Sequence, residues 1–77
     1  MKLIDIGGGS FAAAHRIVAV LAPDSLPVRR TIQDARNEGR VIDVSCGKKT
    51  RSVIVTDSEH VVLSAETAEE MRKRAEE

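Results

Sequence analysis

Lys2 to Ile6 (KLIDI) alternates polar and apolar positions, the period of a half-buried strand, and Gly7-Gly8-Gly9-Ser10 ends it in a flexible loop. Phe11 to Ala22 opens with helix formers and passes into Ile17-Val18-Ala19-Val20-Leu21, β-branched and bounded by Pro23, so a strand is expected over about 13–21. That run does not alternate, which points to burial on both faces, by the domain itself or by a neighbouring subunit.

The period then changes. Asp24 or Ser25 is a natural N-cap, with Pro27 near the first helical position. Val28, Ile32 and Ala35 form an i, i+4, i+7 stripe, and Gly39 suits the position just past the helix end. Arg40–Ser45, Arg51–Thr56 and His60–Ser64 read as three strands, separated by turns at Cys46–Thr50 and Asp57-Ser58-Glu59. A last helix is expected over about 66–76, its acids early and Arg72-Lys73-Arg74 late, as the helix dipole favours. The expected fold is a small α+β domain over 1–77, ββαβββα with an antiparallel β-meander.

Composition sharpens this picture in one respect. The chain is 42% hydrophobic but has a single aromatic residue, Phe11, and a single cysteine, Cys46, which forms no internal disulfide. Domains of this size bury only about 60–65% of their unfolded surface, and small cores are often completed by self-association. A homo-oligomer is expected. No secretory pattern is evident and the longest apolar run, Ile17–Ala22, is six residues, so a soluble cytoplasmic protein without membrane contact is expected.

The formal net charge of +0 conceals a polarity. Residues 1–51 carry nine Lys or Arg against five acids, whereas residues 52–77 carry three against seven. Arg29 to Arg51 alone holds seven basic residues and three acids, which fits a shaped surface for a polyanion. The plainer reading is a solvated helix face beside a charged turn. Arg30 and Asp34 stand at i, i+4, so Arg30 is as much a candidate helix stabiliser as a ligand contact. Arg16 lies in the least polar region of the chain. A guanidinium buried there would have to reach the edge, pair with an acid such as Asp5, or receive an anion. In the last case it joins Lys48, Lys49 and Arg51, at the tip of the hairpin GKKTR, in one convergent set.

Other chemistry finds little support. Ile6-Gly7-Gly8-Gly9-Ser10-Phe11-Ala12 fits a dinucleotide-type G-x-G-x-x-A, but no βαβ unit or downstream acid follows. His15, His60 and Cys46 each stand alone, without metal-ligand or nucleophile spacing. No enzyme activity, cofactor or metal is expected.

The segments IGGGS, AAHRIVAVLAPDSLPVRRTIQDAR and GRVIDVSCGKKTRSVIVTDSEHVVLS resemble the RemA family of small bacterial regulators of extracellular-matrix (biofilm) genes. The signature is PDS-x-P-[VI]-[RK]-R-x-IQDAR followed by G-[KR]-[KR]-T-R-x-V-I, and the resemblance covers roughly four-fifths of the chain. It implies a DNA-binding transcriptional regulator related in fold to the LytTR domain, assembled into rings that present many copies of a basic site. The family's DNA-contacting arginine falls on Arg16, and its basic hairpin pair on Lys48 and Lys49. Lysine there keeps the charge and loses the bidentate fork, so phosphate contact is expected rather than guanine reading. Two further departures are Gly-Gly-Gly-Ser in place of Gly-aromatic-Gly, and Cys46 in place of a residue commonly histidine.

The expected function is therefore an oligomeric regulator of double-stranded DNA. Arg16, Lys48 and Lys49 are its main contacts, supported by Arg51, Arg29 and Arg30. The alternatives are a small-anion or nucleotide module beside the glycine loop, and a structural protein-interaction ring.

Overall fold

The computed structural model describes residues 2–76. Leu3–Gly7 (β1) and Ser10–Ala13 (β2) pair as an antiparallel hairpin, Ile4 opposite Ala12. A 3-10 turn, Ala14–Arg16, then leads into Ile17–Leu21 (β3). Leu26–Asn37 is α1, followed by Val41–Asp43 (β4), Ser52–Thr56 (β5), Val61–Ser64 (β6) and Ala68–Glu76 (α2).

The expected α+β class stands, with changes in detail. The strand expected over 13–21 is two strands divided by the turn at Ala14–Arg16. The glycine run is the tight connection of a β-hairpin and opens no helix, which removes the dinucleotide pattern's structural context. Gly8 is required there: its φ is 61°, and a Cβ would run into the Val44 carbonyl oxygen and the Cys46 thiol.

The main sheet runs β3-β5-β6-β4. β3–β5 and β5–β6 are antiparallel, as a meander requires, whereas β4 joins β6 in parallel, Val41 opposite Val61. β3 and β4 therefore point the same way, and β3–α1–β4 is a split βαβ unit with the β5–β6 hairpin inserted between its strands. One consequence concerns the basic turn. Cys46 to Thr50 was expected at a hairpin tip, but β4 and β5 are not neighbours. The segment instead crosses the end of β6, anchored by Val44 N–H to the Leu63 carbonyl (2.9 Å) and Arg51 N–H to the Ser64 carbonyl (2.8 Å).

Strand alternation sends successive side chains to opposite faces, and both faces are covered. Val53, Val61 and Leu63 meet Ala35, with Val28 and Ile32 packed alongside, so the apolar stripe of α1 lies where its period places it. On the other face Ile54 and Val62 meet Ile4 and Ile6 of the hairpin and Met71 of α2. Ser52 and Ser64 are buried between these layers, and each hydroxyl donates to a backbone carbonyl (Glu66 and Ile6, 2.6 Å each). Among the described residues no buried side-chain polar atom lacks a partner.

α1 is capped as expected: Ser25 Oγ accepts from the Val28 amide at 3.4 Å, and Gly39 takes φ 71° beyond the end. The pairing of Arg30 with Asp34 does not form; on that helix Gln33 donates to Asn37 instead. α2 starts at Ala68 rather than near 66, because the Thr67 hydroxyl accepts from the Glu70 amide (3.1 Å) and ends the preceding turn.

Candidate nucleic-acid interface

The sheet gives the molecule two unlike ends. At one end the parallel strands β3, β4 and β6 finish, both helices begin, and the crossover loop 44–51 passes over the strand tips. Asp43 opens this loop: its carboxylate accepts from the Ser45 amide (2.9 Å) and hydroxyl (2.6 Å). Those two hydrogen bonds hold the Asp43 carboxyl below the usual carboxylate range. Cys46 and Gly47 then take left-handed backbone, φ 56° and 80°, which reverses the chain and turns Lys48 and Lys49 outward.

Lys48, Lys49 and Arg51 are all exposed, and none forms an ion pair among the described residues. Lys48 borders a hollow with Gly7, Gly8, Cys46 and Glu66. Lys49 and Arg51 border another with Pro23, Asp24 and Thr67. Glu66 is engaged by Arg74 at 3.3 Å, which draws its charge toward α2. Arg29 and Arg30 lie in the first two turns of α1, exposed and without ion pairs. Since Leu21, just before that helix, pairs with Val53, they belong to the same end. The positive pole of α1, whose first turn holds no acid, adds to this field, whereas Glu69 and Glu70 in the first turn of α2 offset that helix's own pole.

The opposite end is built around the β5–β6 turn, and its cations are paired. Arg16 Nε donates to both oxygens of Asp57, at 2.6 and 2.8 Å, while the Asp57 amide donates to the Arg16 carbonyl. Arg40 bonds Glu38 at 2.6 Å and donates to the Glu59 carbonyl, and the Glu38 contact raises its pKa. Thr56, Ser58 and His60 hydrogen-bond one another through the turn.

Two expectations about Arg16 change. It is not buried in an apolar strand but ends the 3-10 turn with its side chain 54% exposed, and its acid is Asp57 rather than Asp5. Nor does it converge with the loop lysines within the chain. Asp57 and Arg51 lie six residues apart on an extended strand, about 20 Å at 3.3 Å per residue. Cys46 and His60 are likewise at opposite ends. Among the described residues no group of three His, Cys, Asp or Glu is arranged to hold a metal ion, and no helix is long and apolar enough to cross a membrane.

Sequence reasoning missed the Arg16–Asp57 contact. The signal was faint: Asp57 looked like a turn residue, and only the β3–β5 register places it beside Arg16.

Residues 3–75 match the sequence profile of a family described as extracellular matrix regulatory protein A-like (RemA-like). A protein of Nitratidesulfovibrio vulgaris named "Putative regulatory protein" is 53% identical over 73 residues, covering 95% of this chain and 85% of its own length. One of the same name from Geobacillus thermodenitrificans is 47% identical over 74 residues, covering 96% and 85%.

Proposed function

This chain belongs to the extracellular matrix regulatory protein A-like family, and on that premise we propose that it is a homo-oligomeric regulator that binds double-stranded DNA. The observation that carries the reading is the crossover loop, where Lys48, Lys49 and Arg51 face solvent without acidic partners on a rigid base. Cations left unpaired at the ends of three strands and the start of α1 form a positive field, the footprint of phosphate binding. Arg29 and Arg30 extend it, and Arg16 adds a separate contact at the far end. Aromatic poverty disfavours single-stranded nucleic acid, which is held by stacking.

A few charges per protomer bind weakly at physiological salt, so multiplicity has to supply the affinity. Two features support self-association. Leu3, Phe11 and Val18 are each more than half exposed. Separately, an apolar groove of about 510 Å³ opens between α2 and the sheet, lined by Ile4, Ile17, Val20 and Met71. A closed ring repeats the basic end around its circumference and gives the duplex a curved surface to bend upon. Control of matrix genes is the regulatory role we assign to it.

The nucleotide alternative has the hollow beside Gly7, Gly8 and Lys48, but at about 170 Å³ it is smaller than the 300–1,000 Å³ typical of ligand pockets and contains Glu66. Gel shifts with duplex DNA at low and high salt, run beside a nucleotide thermal-shift panel, separate the readings. Tight duplex binding that collapses with salt, with no nucleotide stabilisation, is expected. Salt-insensitive binding, or none, contradicts it. Sedimentation at micromolar concentration should show a species well above 8.4 kDa.

A further inference from the structure

Arg16 and Asp57 meet at two points, one through the backbone and one through the side chains. The Asp57 amide donates to the Arg16 carbonyl at 2.9 Å, so β3 and the β5–β6 turn are already joined before the side chains are considered. Both carboxylate oxygens then accept from a single nitrogen, Nε, at 2.6 and 2.8 Å. Nη1 and Nη2 make no hydrogen bond among the described residues, and the side chain is 54% exposed. The end-on edge of the guanidinium, with its two parallel N–H groups, is thus free and faces away from its anchor.

The anchor is stiff. The Glu59 amide bonds the Thr56 carbonyl (3.1 Å), the Thr56 hydroxyl meets Ser58 (2.9 Å), and Ser58 meets His60 Nδ1 (2.8 Å). Arg40 fixes the same turn from the other side through the Glu59 carbonyl. A long side chain that is otherwise free to rotate is held in one direction.

We propose that Asp57 is a positioning residue that aims the Nη edge of Arg16 at a planar pair of acceptors on duplex DNA, either two phosphate oxygens or the O6/N7 edge of guanine. This rests on the DNA-binding reading above. Asp57 is a liability in a surface that attracts DNA by charge alone, because its carboxylate cancels Arg16 and repels phosphate. It is an asset where direction matters, since a bidentate contact needs both N–H groups aligned at once. Lys48 and Lys49 lack such a fork. Arg16 is the anchored guanidinium with a free fork, and the loop lysines are point charges.

The two accounts of Asp57 predict opposite signs. Asp57→Asn makes the protein one unit more positive, so plain electrostatics gives tighter DNA binding, whereas loss of aim gives weaker binding. Fluorescence anisotropy with a G·C-only and an A·T-only duplex of equal length measures this, with thermal midpoint and sedimentation checked for each variant. We expect Asp57→Asn and Arg16→Lys each to weaken binding about tenfold, within the range a bidentate pair is worth. The double variant should be no weaker than either single, because both changes remove the same contact. A loss confined to the G·C duplex assigns the guanine edge; an equal loss on both assigns phosphate. Unchanged or tighter binding by Asp57→Asn overturns the proposal, as does an additive double variant. If Asp57→Asn does not fold, Arg16→Lys decides alone: unchanged affinity at wild-type thermal midpoint overturns it. A wild-type protein that binds neither duplex overturns the DNA-binding reading itself.

Discussion

The two ends of β5 carry the same kind of charge and treat it differently. At the Arg51 end, Lys48, Lys49 and Arg51 have no acidic partner among the described residues, and their loop is fixed through its backbone. At the Asp57 end, Arg16 and Arg40 are each held by a carboxylate or a carbonyl. Exposed ion pairs of this sort are screened by solvent, so pairing does little for stability. It does fix direction. On the reading proposed above, the loop end offers charge that any phosphate can use, and the turn end offers an aimed group. A basic patch counted from sequence merges these two devices.

The largest expected effect comes from emptying the loop end. Lys48→Ala/Lys49→Ala should abolish detectable duplex binding, since under the proposed function two phosphate contacts are lost in every protomer and the loss repeats around the oligomer. Thermal midpoint and sedimentation should stay at wild-type values, because neither lysine has a core contact or an ion pair to lose. A double variant that binds normally would place the interface elsewhere.

A second way to break the comparison is to make the loop end resemble the turn end. Thr50→Glu puts a carboxylate between Lys49 and Arg51, both exposed and unpaired. Affinity should fall about tenfold, roughly the 1.4 kcal/mol that separates decades of binding. Equal affinity would mean that unpaired charge at this end is not what DNA uses.

The helix arginines sharpen the comparison further. Arg29→Ala and Arg30→Ala should each weaken binding by a few-fold, less than the loop pair, since each removes one charge at the margin of the patch. Arg30 lacks the Asp34 partner that its i, i+4 spacing anticipates, so the two should behave alike. A markedly milder Arg30→Ala would show that the ion pair forms in solution.

How much of this was legible follows from which signals are local. The stripe Val28, Ile32, Ala35, the Ser25 cap and the Gly39 stop were readable because helix period and capping are written within a dozen residues. The break at Ala14–Arg16 was not, because an apolar run looks the same whether it is one strand or two. The parallel joining of β4 to β6 was also hidden. Strands with short connections read as neighbours, and only the long-range register shows that β5 and β6 insert between β3 and β4. For the same reason the basic residues of the candidate site were identified by type, while their division between two ends of the sheet was not.

The smallest expected effect is on pH. The Asp43 carboxyl is held low by two Ser45 hydrogen bonds, so it contributes stability above the unfolded carboxylate value and loses that contribution as pH falls through its own lower value. Below about pH 4 the crossover loop should therefore loosen. The thermal midpoint of Asp43→Asn should be slightly lower than wild type at neutral pH, and the two should converge in acid. Parallel curves at all pH values would remove Asp43 from the loop's support.

The most direct test of the central claim, that unpaired loop lysines meet DNA phosphates, is the slope of log K against log salt for duplex binding. It is measured for wild type and for each single loop variant, Lys48→Ala and Lys49→Ala. Each neutralised phosphate contributes about 0.9 to that slope. The account predicts a slope shallower by about 0.9 per engaged protomer for either single variant, with oligomer size unchanged. Slopes that match wild type within error, whatever the affinities, would contradict it.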